Sequence, residues 1–294
     1  MKSSASCQTP EHVESPMRRA LNELLDDRAA IGAVAVLGLL IASAVLAPAI
    51  APYDPLRVFP GASLQPPSAE HIMGTDLIGR DLFSRVIFGA RMSLLVGTVS
   101  VSVSASIGIS LGLLAGYFGG LVDDIISRVV DMMLAFPGIL LALTVVSVLG
   151  PGLLNAMIAV GISGVPNFVR LVRGAVLSAK QEEYVIAARG IGCSRGHIIF
   201  RHILPNVVDP ILVLASLAYG WAILNGASLS FLGLGAQPPK PEWGVMLSQG
   251  RGYLEQAYWL TLFPGTAIML TVLSVNVLGE ALRDAFDPHL QTLQ

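Results

Sequence analysis

Six polar or indole side chains stand in long apolar stretches of the sequence, where hydrogen bonding is the chemistry open to them. They are Ser163, Asn167, Trp221, Asn225, Ser228 and Asn276. The first two are spaced i, i+4 and the next three i, i+4, i+7, so each set shares one face of a helix. Because polar groups inside a membrane are costly, these residues are candidates to line a translocation path. For any single one of them, a hydrogen bond between helices is the simpler interpretation.

Side chains that support catalysis or metal binding are few and poorly spaced. The five histidines form no short motif, and Cys7 and Cys193 suggest neither a disulfide framework nor a metal site. The lysines are Lys2, Lys180 and Lys240, and none follows a glycine as a phosphate-binding loop requires. No Ser/Lys or Asp/Asp pair that could serve an intramembrane enzyme stands in the apolar stretches. We therefore expect no catalytic site and no bound cofactor or metal in this chain.

The composition indicates the elements that carry these residues. Charged residues make up 13% of the 294 residues, against about 25% in a typical soluble domain. Five windows contain no charge at all, namely 29–53, 92–122, 132–169, 210–239 and 256–279. Each is long enough for a membrane-crossing helix, which needs about 20 apolar residues. The pattern predicts a polytopic membrane protein and excludes a soluble enzyme or a nucleic-acid binder.

The third window is too long for one crossing, because 38 residues would span nearly twice the hydrocarbon core. Gly150-Pro151-Gly152 divides it, since the glycines permit a tight turn and the proline interrupts a helix. The sequence therefore predicts an all-α protein with six transmembrane helices. Their approximate ranges are 29–50, 93–117, 125–149, 153–172, 209–232 and 258–281.

The basic residues orient these helices. With both termini in the cytoplasm, twelve Lys and Arg side chains lie inside and six outside, as the positive-inside rule requires. This orientation predicts a cytoplasmic tail over 1–28 and a transmembrane domain over 29–294. It also predicts outer loops at 52–92 and 233–257 and a long inner loop at 173–208. A multi-pass membrane protein, in contact with lipid and not with nucleic acid, is expected.

Two helix surfaces have distinctive patterns. Residues 82–88 place apolar side chains on one face and Asp81 and Arg85 on the other, which predicts a short amphipathic helix on the outer surface or an ordinary solvated loop helix. In the second crossing, Gly108, Gly112 and Gly116 form a smooth ridge at helical spacing. Such a ridge lets another backbone approach closely, so we expect it to pack against a helix of this chain or of a partner.

The inner loop reads as a helix, a turn and a second helix. Residues 180–189 have a helix-forming composition, with acidic residues first and Arg189 last, as the helix dipole favours. Gly190 and Gly192 are expected to end this helix, and Ser194 is expected to cap a second one. The second helix is predicted to reach about His202 and to stop at Leu204-Pro205, before the fifth crossing.

The inner loop resembles the EAA loop of ABC-importer permeases. Ala187 and Ala188 match its two alanines, Gly192 follows at the expected distance, and Leu204-Pro205 fall in register. Ile186 and His202 depart from the general pattern and are typical of the dipeptide/oligopeptide/nickel branch. Segments similar to the C-type permease of that branch occur at Gly74–Arg85, Ser230–Gly235, Pro241–Gly244 and Leu282–Pro288. The resemblance covers about residues 25–290.

The resemblance implies a type I ABC-importer permease fold, with residues 29–294 as the permease domain, and a transport subunit without its own ATPase site. It also implies a location in the bacterial inner membrane. It implies that ATP and Mg are bound by two partner ATPase subunits, that a homologous B-type permease completes a heterodimer, and that an extracytoplasmic binding protein delivers peptides. The EAA-like loop would couple to the ATPases through Glu183, Tyr184, Ala187, Ala188, Arg189, Gly192, Cys193 and Ser194.

Other transport functions stay open at this point. The same branch includes nickel, glutathione and sugar importers, and the uncharged polar residues of the crossings favour peptides only mildly. An ion-coupled secondary transporter fits the charge-poor helices. However, it does not fit the absence of acidic residues deep in the crossings, nor the EAA-like loop.

Overall fold

The computed structural model describes residues 27–286, and the predicted all-α fold is confirmed over that range. The tail over 1–26, with Cys7, and the last eight residues lie outside the described part. Nine helices of eight or more residues follow one another within residues 27–286. They are α1 (Arg28–Val45), α2 (Leu82–Phe118), α3 (Gly120–Leu134), α4 (Gly138–Leu149), α5 (Leu153–Ala179), α6 (Glu183–Gly190), α7 (Val208–Phe231), α8 (Trp243–Gly250) and α9 (Trp259–Phe286).

Within residues 27–286, five helical stretches are long and apolar enough to cross a membrane: α1, α2, α5, the stretch Arg195–Phe231 that contains α7, and α9. The bent pair α3 and α4 makes a sixth, the number that the sequence predicts, when the pair is counted as one span. The turn at Gly150–Gly152 separates α4 from α5 as expected, with positive φ angles of 86° at Gly150 and 151° at Gly152. The fourth crossing is longer than predicted, because α5 continues beyond residue 172 to Ala179.

The third crossing is not the single straight helix that was predicted over 125–149. α3 and α4 meet at an angle of 96°, and Pro137 is the residue that precedes α4. Proline has no backbone N–H to continue the hydrogen bonding of α3, and it disfavours helical geometry at the residue before it, Phe136. α3 therefore ends at Leu134 and the chain starts again in a new direction.

The prediction of a separate helix over residues 82–88 is wrong. The segment is the first part of α2, which runs without a break for 37 residues from Leu82 to Phe118. The carboxylate of Asp81 accepts a hydrogen bond from the Ser84 N–H at 2.8 Å and so caps the helix. Arg85 is 1% exposed and lies in the interior, so neither the surface helix nor the solvated loop helix is present.

An outer cap, residues 51–81, covers the start of α2 with a compact loop. A buried ion pair and a buried hydrogen bond hold it: Arg80 Nε lies 2.6 Å from the Asp76 carboxylate, and His71 Nδ1 lies 2.9 Å from the Asp81 carboxylate. Arg85 reaches into the cap and donates to the Pro55 carbonyl at 3.2 Å. Its Nη2 atom has no hydrogen-bond partner among residues 27–286. The cap is thus fixed to α2 by charged groups that are removed from solvent.

Glu242 fixes the second outer segment in a similar way. Its carboxylate caps α8 by accepting the N–H groups of Gly244 and Val245, both at 2.9 Å, and it accepts the Ser93 hydroxyl of α2 at 3.3 Å. The indole of Trp243 donates to the Val86 carbonyl at 2.9 Å. Burial raises the pKa of the Glu242 carboxyl above its usual range, and the hydrogen bonds that it accepts oppose this shift.

The most extensive contact between two helices of residues 27–286 joins α2 to α5. Gly108, Gly112 and Gly116 of α2 face Phe168, Val172 and Val176 of α5, one glycine against one side chain. A Cβ added at Gly112 would lie 2.7 Å from the Val172 Cβ, closer than carbon atoms pack. The Ser104 hydroxyl of α2 donates to the Gly161 carbonyl of α5 at 2.6 Å. The glycine ridge therefore contacts a helix of the same chain.

This packing makes Gly112→Ala destabilising. The added methyl group must displace Val172, which we expect to cost about 1–3 kcal/mol. Gly174→Ala on α5 is the matched control, because nothing lies within 4 Å of its new Cβ and alanine favours a helix by up to about 1 kcal/mol. Thermal unfolding of the purified protein in detergent measures both. Equal midpoints for the two variants would contradict the packing described for α2 and α5.

Glu242 makes the stability of the protein depend on pH. Because its pKa is higher in the folded chain than the ordinary 4.5, folding takes up a proton. The stabilisation is complete below that ordinary value and is lost as the pH rises through the raised pKa. Glu242→Gln removes the titration, so we expect the unfolding midpoint to fall less with rising pH in this variant than in the wild type. Parallel pH profiles of the two proteins would show that Glu242 does not titrate in this way.

Candidate functional site

The inner loop contains the rigid helix α6 at the inner end of the molecule. α6 begins at Glu183 and ends at Gly190, with the acidic residue in its first turn and Arg189 in its last. Gly192 then adopts a φ of +82°, which reverses the chain at no steric cost only for glycine. Gly190 and Gly192 therefore end the helix, as the sequence predicts.

The second half of the inner loop differs from the prediction. Ser194 caps the next turn, as expected, by accepting the His197 N–H at 3.3 Å. However, Pro205 does not stop the helix. The chain passes through a π-helical segment, Ile198–Ile203, and a 3₁₀ turn, Leu204–Val207, directly into α7. The Asn206 side chain donates to the His202 carbonyl at 2.6 Å within this irregular stretch.

The continuity has a physical cause in the packing around the irregular stretch. Ile198, Ile203 and Val207 are fully buried, in one apolar cluster with Val172 and Val176 of α5. A π turn and a 3₁₀ turn change the number of residues per turn, so the buried side chains stay on one face although the proline interrupts the regular pattern. The inner loop is thereby joined to the fifth crossing as one helical rod from Arg195 to Phe231.

Most of the predicted coupling residues lie on the exposed side of the inner loop. Tyr184 is 41% exposed, and the other exposed members are Glu183, Ala187, Arg189, Gly192 and Ser194. Cys193 is half-buried. Ala188 is not on this surface: it is buried together with Val185, and the two attach α6 to the apolar cluster of α5. Of the eight predicted residues, six are thus exposed, Cys193 is half-buried, and Ala188 attaches α6 to α5.

Three exposed apolar side chains in the same stretch of chain were not in the predicted set. Ile191 is 82% exposed, Phe200 is 69% exposed and Ile186 is 58% exposed. The sequence did signal one of them, since Ile191 stands between two glycines in a turn, where an apolar residue has no helix face to pack on. The exposed part of the inner loop thus contains apolar side chains as well as the charged Glu183, Arg189 and Arg195.

The inner loop is also tied to the end of α2. Lys180 Nζ donates to the Gly116 carbonyl at 3.0 Å, in the last turn of α2. The guanidinium of Arg195 lies 6.0 Å from the ring centre of Phe118, the last residue of that helix. Both cations approach the carbonyl end of α2, where the helix dipole favours positive charge. A displacement of the inner loop would therefore pull on α2 as well as on α7.

Three of the six polar residues of the crossings are satisfied within their own helices. The Ser163 hydroxyl donates to the Val160 carbonyl, the Asn225 amide to the Trp221 carbonyl and the Ser228 hydroxyl to the Leu224 carbonyl, each at 2.8 Å. Ser163 and Asn225 are buried. Ser228 lines a separate apolar groove between α7, α8 and α9. The structure therefore does not bring these three residues to one surface.

Asn167 and Trp221 come together. Asn167 is exposed and Trp221 is 37% exposed, and both line a cleft between α2, α5 and α7. The Trp221 ring also lies against Gly138, the first residue of α4, next to the bend at Pro137. Asn276 is half-buried on another face, where its side-chain oxygen approaches Gly220. The cleft offers an amide and an indole to a polar solute, with apolar walls around them.

Comparison with known proteins places this arrangement in context. Residues 108–292 match the family described as binding-protein-dependent transport system inner membrane component. Residues 15–67 match the N-terminal transmembrane domain of oligopeptide transport permease C.

Three curated relatives cover nearly the whole chain. The dipeptide transport system permease protein DppC of Alkalihalophilus pseudofirmus is 49% identical, over 95% of this chain and 91% of its own length. The di/tripeptide transport system permease protein DppC of Pseudomonas aeruginosa is 44% identical, over 94% and 93%. The glutathione transport system permease protein GsiD of Pectobacterium atrosepticum is 47% identical, over 95% and 93%.

The fold is also found in a solved structure. A chain from inward-facing conformations of the MetNI methionine ABC transporter superposes with a TM-score of 0.55 at 18% identity. The match covers 69% of this chain and 97% of the other. At this identity, the match shows a shared arrangement of helices.

Proposed function

Because this chain belongs to the family of binding-protein-dependent transport system inner membrane components, we propose that it passes short peptides across the bacterial inner membrane as one permease subunit of an ATP-driven importer. One observation carries the peptide assignment. The relatives that match almost the full length are named for dipeptides, for di- and tripeptides and for glutathione, which is itself a tripeptide. The uncharged cleft around Asn167 and Trp221 suits the amide groups of such substrates.

Energy for transport must come from other subunits. The sequence contains no glycine-lysine phosphate-binding loop, so we propose that two partner ATPases bind ATP and Mg and hydrolyse the nucleotide. They would dock on the exposed side of the inner loop, with Ile191, Ile186 and Phe200 as apolar anchors. Glu183 and Arg189 would orient the contact, because charges at the rim of an interface set its register.

The packing supports a direct mechanical route from this surface to the crossings. Val185 and Ala188 attach α6 to α5, and the rod Arg195–Phe231 leads from the inner loop into α7. Asn167 is on α5 and Trp221 is on α7, so a movement of the inner loop changes the cleft between them. Closure of the ATPases would thereby open the path to one side of the membrane or the other, as in alternating access.

Two more partners complete the proposal. A second permease of the B type would close the open side of the cleft, so that each subunit supplies half of the path. An extracytoplasmic binding protein would deliver the peptide to the outer cap and to the outer segment 233–257, both of which are held rigid by buried ionisable groups.

Reconstitution tests the transport assignment. The chain, its B-type partner, the ATPases and the binding protein are placed in proteoliposomes, and ATP-dependent uptake of labelled dialanine is compared with uptake of nickel and of a disaccharide. We expect uptake of the dipeptide only. Uptake of nickel or of the sugar, with none of the peptide, would refute the substrate assignment and leave the permease assignment standing.

Gly192→Val tests the docking surface. A β-branched residue at a φ of +82° costs about 1–2 kcal/mol or more, so the turn that presents Ile191 is distorted. We expect substrate-stimulated ATPase activity of the assembled importer to fall about tenfold, as about 1.4 kcal/mol of lost coupling implies. Gly190→Val is the control, because Gly190 has open space around it and an ordinary helical backbone. Normal stimulation in Gly192→Val would show that the turn does not take part in docking.

A further inference from the structure

Two ion pairs connect α3 to α5 and differ in their surroundings. Arg173 binds both carboxylate oxygens of Asp123, at 2.5 and 2.7 Å, and Asp123 also accepts the Ser127 hydroxyl. Arg170 binds Asp131 through a single contact at 2.7 Å. Together with Val130, which packs on Val165 and Val169, these pairs position α3 beside α5.

The Arg170–Asp131 pair is much more open than its neighbour. The side chains of Arg170 and Asp131 are 60% and 63% exposed, whereas those of Arg173 and Asp123 are 36% and 15% exposed. An exposed pair with one contact contributes little to stability, typically about 0–1 kcal/mol. The bidentate Arg173–Asp123 pair is therefore sufficient to hold the two helices, and the open pair is free to contact something else.

The position of the open pair indicates what it faces. Arg170 stands 17 residues after Leu153, about 26 Å along α5, so it lies in the inner part of a crossing. A charge turned toward lipid costs about 2.5–3.5 kcal/mol or more at the centre of a crossing, and a long Arg side chain near the end of a helix reaches the polar interface instead. Arg170 follows the exposed Asn167 by three residues and shares its face. The open pair thus continues the polar side of the cleft toward the cytoplasm.

We propose that Arg170 and Asp131 form a charged station on the inner half of the translocation path, where the two termini of a peptide replace the ion pair. The guanidinium binds the terminal carboxylate and the Asp131 carboxylate binds the terminal ammonium group, with no covalent change. Because the two charges neutralise each other when no peptide is present, the empty path contains no isolated charge. Binding of the peptide breaks the Arg170–Asp131 ion pair before two new ion pairs form. The net gain is therefore smaller than the strength of the two new pairs, and the peptide can leave. This inference rests on the proposed peptide function.

A cysteine reporter at residue 174 tests the station without altering it. Gly174 is exposed one turn after Arg170 and has open space around it. In the assembled importer, Gly174→Cys is labelled from the cytoplasmic side with a charged, membrane-impermeant maleimide, with and without millimolar dialanine. Mass spectrometry reads labelling at residue 174 alone, so Cys7 and Cys193 remain in place. We expect dialanine to slow the labelling several-fold.

The same reporter is then combined with changes in either ion pair. Protection by dialanine should be lost with Arg170→Gln or Asp131→Asn and kept with Arg173→Lys, a change in the neighbouring pair that leaves a cation beside Asp123 to hold α3 and α5 together. Uptake of dialanine should show a several-fold higher KM in the first two variants and an unchanged KM in the third.

Three outcomes would overturn the station. A reporter that reacts only with a membrane-permeant reagent faces lipid or the partner permease. Protection that persists in Arg170→Gln shows that the pair does not bind the peptide. If the wild-type importer neither takes up dialanine nor shows protection, both the peptide function and the station are wrong. If the wild type takes up dialanine and Arg170→Gln has no effect on uptake or protection, only the station is wrong.

Discussion

Close contact between the backbones of α2 and α5 is the constraint on which the rest of the structure depends. Lipid supplies no hydrophobic drive for helices to associate, so contact between them must come from shape and from hydrogen bonds. The glycine ridge on α2 and the valines facing it supply the shape, and the Ser104–Gly161 bond adds a polar contact. Since α5 leads into the inner loop and α2 begins at the outer cap, this contact fixes both ends of the molecule relative to the cleft.

The outer and inner halves are stabilised in different ways. On the outer side, Arg85, His71, Asp76 and Glu242 are buried and bonded in fixed directions, so small displacements break specific bonds. On the inner side, α6 and the start of the rod to α7 rest on an apolar cluster, whose contacts have no preferred direction. The half of the molecule proposed to receive work from partners is thus the half that depends least on bonds of fixed direction.

The sequence predicted most of the architecture and less of its geometry. The apolar helices, the Gly150–Gly152 turn and the ending of α6 were right, because they depend on hydrophobicity and glycine conformations that act locally. The resemblance to C-type ABC-importer permeases is likewise confirmed. Two prolines show the limit: Pro137 was not considered, and Pro205 was expected to end a helix. Pro137 breaks a crossing and Pro205 does not, because buried isoleucines around Pro205 keep the rod continuous.

Side-chain environments were harder to predict than elements. Asp81 and Arg85 have a spacing typical of a solvated face, but Arg85 contacts carbonyls far away in the sequence, at Pro55 and Pro239. Ser163, Asn225 and Ser228 have helical spacing like that of Asn167 and Trp221, yet they bond within their own helices. Only tertiary packing separates these cases. Spacing alone therefore identified candidates for the path without ranking them.

The placement of the three tryptophans gives the molecule an intrinsic optical probe. Trp243 is fully buried and Trp259 is 6% exposed, and both are fixed on the outer side by hydrogen bonds from their indole nitrogens. Trp221 is the exposed one, and it stands in the cleft beside the bend at Pro137. A soluble quencher such as iodide would thus reach one emitter only. The quenchable fraction of the chain's own fluorescence would report, without any label, how far the cleft is open to water.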